Sequence, residues 1–338
     1  STWKPINMVA WMQKGHSINE SLVTSTVYDT SKFSCNGYGF VGTWRVQNSG
    51  GGTTSPESPL QGLIKSHNTT QASMASNIGL CAIADAAKEM GYHNAISNAS
   101  DIYSANSFQP PMTIGTVQAS PLTMANVYAT MGANGVECTP IAITKVTDRS
   151  GSKVKVPSAN CHQAIDPDIA QTVSYALNQG VVQPGGEAST TQLDNNRKTF
   201  AKTGTNENTV MTTAGFVPNQ VAAFVAVADA QDPINNTFDN KTINGVYRPS
   251  WYGMYIATPA WKQFMNTYLA AINAPIDNDY GKGADKYTVS KGATRTYNQY
   301  QYQRQQNSQQ QSQQQTNQGQ QQQSQQQPAE QQSDQQHQ

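Results

Sequence analysis

The sequence predicts an α+β fold, in which helices pack against one antiparallel sheet. In the earlier part of the chain, apolar residues recur at helical spacing between Ser, Pro and Gly signals. From Lys198 onward the period changes to that of strands, with apolar runs separated by short polar turns. Helices first and strands late are typical of helices segregated onto a sheet.

The first helix is predicted over residues 4–14, because apolar side chains fill most of its positions. Pro5 stands near its start, where a missing N–H costs little. Residues 34–58 are rich in Gly, Ser, Thr and Pro, which predicts a loop with short strands. Two or three helices follow between residues 58 and 92, with Gly91 as a stop signal.

Two more helices precede the strands. In "SPLTMANVYATMGANGV", Ser120 and Pro121 supply an N-cap and a first-turn proline. Residues 167–180 are also helical in pattern, and residues 185–196 are predicted as loop.

Three strands follow, "KTFAKTGT", "TTAGFVP" and "VAAFVAVAD", joined by "NENTVM" and "NQ". Connections this short join antiparallel neighbours, so the pattern predicts a meander. The segment "SWYGMYIATPAWKQFMNTYLAAI" is predicted as a closing helix.

The composition predicts three regions: a domain over 1–275, a linker over 276–297, and a disordered tail over 298–338. More than half of the tail residues are Gln, and so polar a segment cannot offset the entropy of ordering. The body is long enough for a sizeable core and fits one large domain or two small ones.

Charge and hydropathy argue against a nucleic-acid partner and against a membrane-spanning segment. The chain has 21 basic and 21 acidic side chains and no Lys/Arg block, so no nucleic-acid partner is expected. Its longest apolar stretches are too short to span a bilayer. Position 1 is not Met and no signal peptide follows, so we expect a piece of a longer protein with any anchor upstream.

Cys138 and Cys161 flank two β-rich runs around an "RSGS" turn. A hairpin brings its ends together, so a disulfide fits the pattern and would imply an oxidising, extracytoplasmic setting. Two buried free thiols are the alternative. The four cysteines form no C-x-x-C pair, and no metal site or cofactor is predicted.

Ser1 and Lys4 lie three residues apart, and positions i and i+3 share a face of a helix. A lysine amine beside a serine hydroxyl serves as its base if burial or a positive neighbour lowers the pKa of the amine. Taken alone, the spacing equally suits a capping serine and a solvated lysine.

Ser66 and Asn68 are two residues apart in "KSHNTT", where a hydroxyl and an amide can face one cleft. The hydroxyl can relay a proton and the amide can hold a substrate carbonyl, although both are also ordinary turn residues. His67, between them, is expected to face away.

The segment "AKTGTNENT" lies on the first predicted strand of the meander. Lys202 would bring positive charge to a cleft, and the hydroxyls of Thr203 and Thr205 would bind a carboxylate. Gly204 removes a side chain where another backbone could lie alongside, as in peptide addition to a strand edge. A plain turn between strands is the alternative.

In this order, Ser-x-x-Lys, Ser-x-Asn and Lys-Thr-Gly resemble the signature of penicillin-binding proteins and class A β-lactamases. "STWKPINMVAWMQKG" resembles the nucleophile helix of the penicillin-binding transpeptidases, and "KTGTNENTVMTTAGFVPNQVAAFVAV" their third-motif strand and the strands after it. "QASPLTMANVYATMGANG" is similar to a stretch between their second and third motifs. The resemblance runs from Ser1 to about Ala271, looks closest to class A-type enzymes of actinobacteria, and implies a serine β-lactamase/D,D-transpeptidase-like fold.

The resemblance also implies catalytic roles. Ser1 would be the acylated nucleophile, and Lys4 would take its proton. Ser66 would pass a proton to the leaving group, with Asn68 holding the substrate amide. Lys202 would keep Lys4 neutral through its positive charge.

The same resemblance implies that Thr203 and Thr205 bind the terminal carboxylate of the substrate beside Gly204. The backbone N–H groups of Ser1 and Thr205 would form the oxyanion hole. The implied partners are peptidoglycan stem peptides and β-lactam antibiotics, in the cell envelope.

The implied reaction is D,D-transpeptidation, in which Ser1 attacks a D-Ala–D-Ala bond and an amine takes the acyl group. The deacylating glutamate motif of class A β-lactamases is missing, because the residues after Glu89, Glu137 and Glu187 do not fit it. A D,D-carboxypeptidase, an acylated β-lactam sensor and a non-enzymatic wall-associated module remain alternatives. An N-terminal nucleophile hydrolase would explain Ser1 but leave the other two motifs idle.

Family members carry strands and a helix before the nucleophile, and class A members also carry a glycosyltransferase domain and an anchor. None precedes Ser1 here, so we expect an unpaired sheet edge or face. We also expect weak or no activity when the chain is expressed alone.

Overall fold

A computed structural model describes residues 1–95, 100–104, 106–229, 231–232 and 235–289. The Gln-rich tail predicted over 298–338 lies outside these residues. The helices are α1 (Lys4–Gln13), α2 (Pro59–Ile64), α3 (Asn68–Ile78), α4 (Leu80–Glu89), α5 (Pro121–Gly132), α6 (Pro167–Val182), α7 (Gly253–Ala271) and α8 (Asp285–Thr288). The strands are β1 (Val27–Asp29), β2 (Thr43–Arg45), β3 (Val136–Glu137), β4 (Val146–Thr147), β5 (Lys153–Val154), β6 (His162–Gln163), β7 (Phe200–Asn206), β8 (Val210–Val217), β9 (Val221–Val227), β10 (Lys241–Ile243) and β11 (Val246–Arg248).

The predicted helices are present, and α5 begins at its predicted N-cap. The N-cap Ser120 accepts the N–H of Thr123 at 3.1 Å, and Pro121 is the first residue of α5. The region between 58 and 92 forms three helices, and Gly91 follows α4 with a φ of +84°. α1 is buried from Lys4 to Met12, so it is the central helix of the core.

The predicted meander is the three-stranded antiparallel sheet β7–β8–β9. Its register pairs Lys202 with Ala214, and Ala214 with Phe224. In the described part of the chain no fourth strand joins it, so β7 and β9 are its edges.

The two faces of this sheet contact different helices. Phe200 and Phe216 belong to the main core with α1, while Ala201 and Val217 pack with Trp261 of α7. Adjacent strand residues therefore face opposite layers, as strand geometry requires. The fold is α+β, with α7 on one face and α5 and α6 on the other.

The folded unit extends further than the predicted boundary at residue 275. The hydroxyl of Tyr280 donates to the Met131 carbonyl at 2.5 Å, and the Tyr287 carbonyl accepts the N–H of Ile18 at 2.8 Å. Residues 1–288 form one compact unit, so the segment 276–288 is not a linker.

The structure contains two disulfides. Cys138 and Cys161 are joined, as the hairpin pattern predicted. Cys35 and Cys81 form a second bridge that the sequence analysis did not predict, across 46 positions of sequence. The second bridge ties the loop after β1 to the start of α4.

Candidate active site

The start of α1 brings Ser1 and Lys4 onto one helical turn. The N–H of Lys4 donates to the Ser1 carbonyl at 3.2 Å, and Pro5 occupies an early helical position where no N–H is needed. Lys4 is completely buried, whereas Ser1 is half-buried. The arrangement presents the serine at the surface of the core and keeps the lysine inside it.

The ammonium of Lys4 joins the first two motifs. Its Nζ donates to the Ser66 carbonyl at 2.6 Å, the Ser66 Oγ at 3.1 Å and the Asn68 Oδ1 at 2.7 Å. All three hydrogens of a charged lysine are therefore engaged. No hydrogen bond joins the Ser1 hydroxyl to Lys4 or to another described residue, so the structure brings Lys4 to the second motif and not to the Ser1 oxygen.

Ser66 lies between α2 and α3 in a left-handed conformation, with a φ of +55°. Such a conformation is unfavourable for a residue with a side chain and clusters at functional sites. Two hydrogen bonds fix this turn. The Ser66 N–H donates to the Leu63 carbonyl, and the His67 N–H donates to the Gly62 carbonyl. It directs the hydroxyl of Ser66 toward both lysines.

Lys202 approaches the same hydroxyl from β7. Its Nζ donates to the Ser66 Oγ at 2.8 Å and to the Thr203 carbonyl at 3.0 Å. Only 2% of Lys202 is exposed. Ser66 thus accepts from two amines, and its own hydroxyl proton is left to donate.

Burial of two amines side by side lowers the pKa of both. Burial, and then the charge of Lys202, hold the pKa of Lys4 well below its usual value, against an opposing effect of Glu187. Burial lowers the pKa of Lys202 to about 8, again opposed by Glu187. The lowered pKa of Lys4 favours its neutral, basic form, and the charge of Lys202 contributes to that lowering.

The backbone nitrogen of Ser1 is buried beside the same two lysines.

The two threonines of the third motif have different surroundings. The Thr203 hydroxyl donates to the Glu187 carbonyl at 3.0 Å, and Thr203 is only 7% exposed. The predicted contact of Thr203 with a carboxylate is therefore not supported. The Thr203 hydroxyl already donates its proton to the Glu187 carbonyl, and the loop of Glu187 covers the side chain of Thr203. The Thr205 Oγ1 accepts the N–H of Gly253 at 3.0 Å, which leaves its own proton free for an anion.

Gly204 allows the start of the chain to lie against β7. A methyl group at this position would lie 2.3 Å from the Thr212 Oγ1 and 3.3 Å from the Thr2 nitrogen. The backbone of Thr2, the residue after the proposed nucleophile, therefore lies close to Gly204. Ser1 and Thr205 accordingly line one cavity of about 520 Å³.

A family model, the penicillin-binding protein transpeptidase domain, matches residues 1–263. This chain belongs to the penicillin-binding protein transpeptidase family. Penicillin-binding protein 1A of Neisseria meningitidis serogroup A is 28% identical over 279 residues, which cover 80% of this chain and 31% of that protein. Penicillin-binding protein 1A of Mycolicibacterium smegmatis is 25% identical over 285 residues, which cover 80% of this chain and 33% of that protein. The chain thus spans about a third of the length of these relatives, which support a class A transpeptidase domain.

Solved structures show the same fold. PonA1 of Mycobacterium tuberculosis in complex with penicillin V has a TM-score of 0.69 and 19% identity, over 86% of this chain and 73% of that one. Penicillin-binding protein 1A of Haemophilus influenzae has a TM-score of 0.60 and 19% identity, over 85% of this chain and 45% of that one. The predicted serine β-lactamase/D,D-transpeptidase-like fold is confirmed.

Sequence analysis missed several residues that hold these motifs in place. The Tyr128 hydroxyl donates to the Thr2 carbonyl at 2.8 Å from α5. Asn48 and Gln47, in the loop after β2, bind the backbone and side chain of Asn68. These contacts join positions 20 or more apart, so no local spacing marked them. His67 faces away from the lysines, as predicted, with its Nδ1 2.8 Å from the Glu57 Oε1.

Two features are absent from the part of the chain that the structure describes. No group of three or more potential metal ligands occurs there. Among the described helices, none has both the length and the apolar content of a bilayer span.

Proposed function

We propose that this chain is the D,D-transpeptidase domain of a peptidoglycan-crosslinking enzyme, with Ser1 as the acylated nucleophile. The observation that carries the proposal is the convergence of Lys4 and Lys202 on the Ser66 hydroxyl, at 3.1 and 2.8 Å. Three motifs from distant parts of the sequence thereby form one hydrogen-bonded group. Proton relay through a serine requires such a group.

Acylation begins with neutral Lys4, which takes the proton of Ser1 as Oγ attacks the penultimate D-Ala carbonyl. The N–H groups of Ser1 and Thr205 stabilise the oxyanion that forms. Ser66 donates its proton to the leaving nitrogen and regains one from Lys4, which lies 3.1 Å away. The bond to the terminal D-Ala breaks, and the acyl-enzyme remains.

Deacylation reverses the proton path. An amine of a neighbouring stem peptide attacks the acyl carbon, and its proton passes through the same residues as the Ser1 ester bond breaks. Asn68 supports substrate binding with the Nδ2 hydrogen that Gln47 does not use. The Thr205 proton and the charge of Lys202 hold the terminal carboxylate in the preceding step.

The surroundings of the glutamates favour transfer over β-lactam hydrolysis. Glu89 accepts a hydrogen bond from Gln13 at the surface, and Glu137 accepts one from Asn126 of α5. Glu187 is exposed; its backbone carbonyl accepts from Thr203, and its carboxylate acts on the two lysines through its charge. None of the three contacts the Ser66 hydroxyl group.

The setting we propose is extracytoplasmic and bound to the cell envelope. Two disulfides persist in oxidising compartments and are rare in the cytosol. The proposed partners are stem peptides and β-lactams.

The test is acylation of the native full-length protein by a fluorescent penicillin, with the labelled peptide identified by mass spectrometry. We expect stoichiometric labelling on Ser1, loss of labelling in Ser1→Ala, and unchanged labelling in Ser158→Ala. Labelling on another residue, or none, would overturn the proposal.

The acceptor is tested separately with a D-Ala–D-Ala stem peptide. Release of D-Ala together with an amine-linked product is expected for a transpeptidase. Release with hydrolysed product alone indicates a carboxypeptidase, and penicillin labelling without peptide turnover indicates a sensor.

A further inference from the structure

The N-terminus of α3 is capped by a side chain from another part of the chain. Its N-cap residue, His67, makes no side-chain capping bond. Instead, the Asn48 Oδ1 accepts the N–H of Asn68 at 2.7 Å and the N–H of Thr69 at 3.1 Å. These N–H groups have no partner within a helix, so Asn48 takes over the role of the cap.

The residue before Asn48 fixes the amide of Asn68. The Gln47 carbonyl accepts from the Asn68 Nδ2 at 2.8 Å. A carbonyl accepts only from the nitrogen side of an amide, so the oxygen side must face the other way. The Asn68 Oδ1 therefore points to the Lys4 Nζ, 2.7 Å away.

Asn48 is itself held firmly. It is 7% exposed, and its Nδ2 donates to the Thr69 Oγ1 at 3.1 Å. Thr53 donates to the same oxygen at 3.2 Å, and the Tyr28 hydroxyl donates to the Thr69 carbonyl at 3.2 Å. The loop after β2 and the first turn of α3 are therefore locked together.

We propose that Asn48 is a positioning residue of the active site, which sets the orientation in which Asn68 offers its oxygen to Lys4. It acts through the helix cap and through the placement of the Gln47 carbonyl. The inference rests on the proposed function, because it assigns a consequence for acylation by Ser1.

The consequence concerns the proton of Lys4. The Asn68 oxygen stabilises the ammonium form of Lys4. Losing this hydrogen bond therefore lowers the pKa of Lys4 further and leaves its amine less well placed. The charged side chains that act on Lys4 in the described part of the chain are Lys202 and Glu187. Asn48 adds no charge to this set, so its effect comes from geometry.

The experiment compares Asn48→Ala and Asn48→Asp in the native full-length protein. The second-order rate constant for acylation by penicillin is measured between pH 6 and 10, together with Tm. Asn178→Ala is the matched control, because Asn178 is also 7% exposed and donates to the Thr199 carbonyl away from α3.

For Asn48→Ala we expect acylation to fall about tenfold or more, the size of one lost hydrogen bond to a charged group. The ascending limb of its acylation rate against pH should move to lower pH. Asn48→Asp keeps the capping oxygen and adds a negative charge, so its maximal rate should stay within about threefold of wild type while its limb moves to higher pH.

A fold defect alone would lower Tm in Asn48→Ala and Asn178→Ala without moving either pH limb. The inference is overturned if folded Asn48→Ala acylates within twofold of wild type, or if its pH limb does not move. Failure of the wild-type protein to acylate would instead overturn the proposed function.

Discussion

Lys202 is close enough to Lys4, through Ser66, for its charge to control the proton on Lys4. Acylation requires neutral Lys4, so the rate should rise as pH passes upward through the lowered pKa of Lys4. Removing a neighbouring positive charge raises that pKa and removing a neighbouring negative charge lowers it. The two changes should therefore move the pH limb in opposite directions.

We expect Lys202→Met to shift the ascending limb of penicillin acylation to higher pH. It should also lower the maximal rate, because Ser66 loses a donor at 2.8 Å. The measurement is the acylation rate constant against pH. Lys198→Met is the control, because Lys198 donates to the Tyr280 carbonyl and does not contact Ser66.

Glu187→Gln should move the same limb to lower pH, since Glu187 raises the pKa of both Lys4 and Lys202. The side chain is exposed, so the shift should be small and should shrink at high salt. A limb that moves in the same direction in both variants would contradict the charge coupling.

At the scale of elements, the contact between α7 and β7 fixes the Thr205 hydroxyl. A methyl group on Gly253 would lie 2.3 Å from the Gly204 carbonyl oxygen and 2.7 Å from the Thr212 carbonyl oxygen. Only a residue without a side chain lets the first turn of α7 reach β7. The N–H of Gly253 is then 3.0 Å from the Thr205 Oγ1.

Gly253→Ala should push α7 away from the sheet, destabilising the fold by roughly 1–3 kcal/mol and weakening penicillin binding before acylation. Both are measurable, by denaturant unfolding and by the concentration dependence of acylation. Gly180→Ala is the matched control, because a methyl group in α6 would meet only the Ala188 Cβ at 4.0 Å. It should keep full affinity and gain up to about 1 kcal/mol of stability.

At the scale of the whole molecule, the two disulfides differ in what they join. Cys35–Cys81 links a loop near β1 to the core helix α4. Cys138–Cys161 closes a hairpin whose residues are mostly exposed. The first bridge constrains core elements, and the second constrains a peripheral segment.

Replacing Cys35 and Cys81 by Ser should lower the free energy of unfolding by about 4 kcal/mol, the chain-entropy value for a bridge across 46 positions. Replacing Cys138 and Cys161 by Ser should free the hairpin and change Tm less. Thermal unfolding with penicillin labelling compares the pairs. Equal losses of Tm would show that the hairpin unfolds together with the core.

Much of this fold follows from local pattern. Ser120 with Pro121 marked the start of α5, and the strand period over β7–β9 marked the meander, because caps and periodicity depend on neighbouring residues. The three motifs named the residues that meet at the Ser66 hydroxyl.

Tertiary structure alone decided the partners of these elements. It placed Thr203 under the loop of Glu187, brought Asn48 to the start of α3, joined Cys35 to Cys81, and packed residues 276–288 onto the domain. Each is a contact between segments distant in sequence, made where two surfaces close together. A local pattern specifies which face of an element is apolar, but it does not specify which distant segment will cover that face.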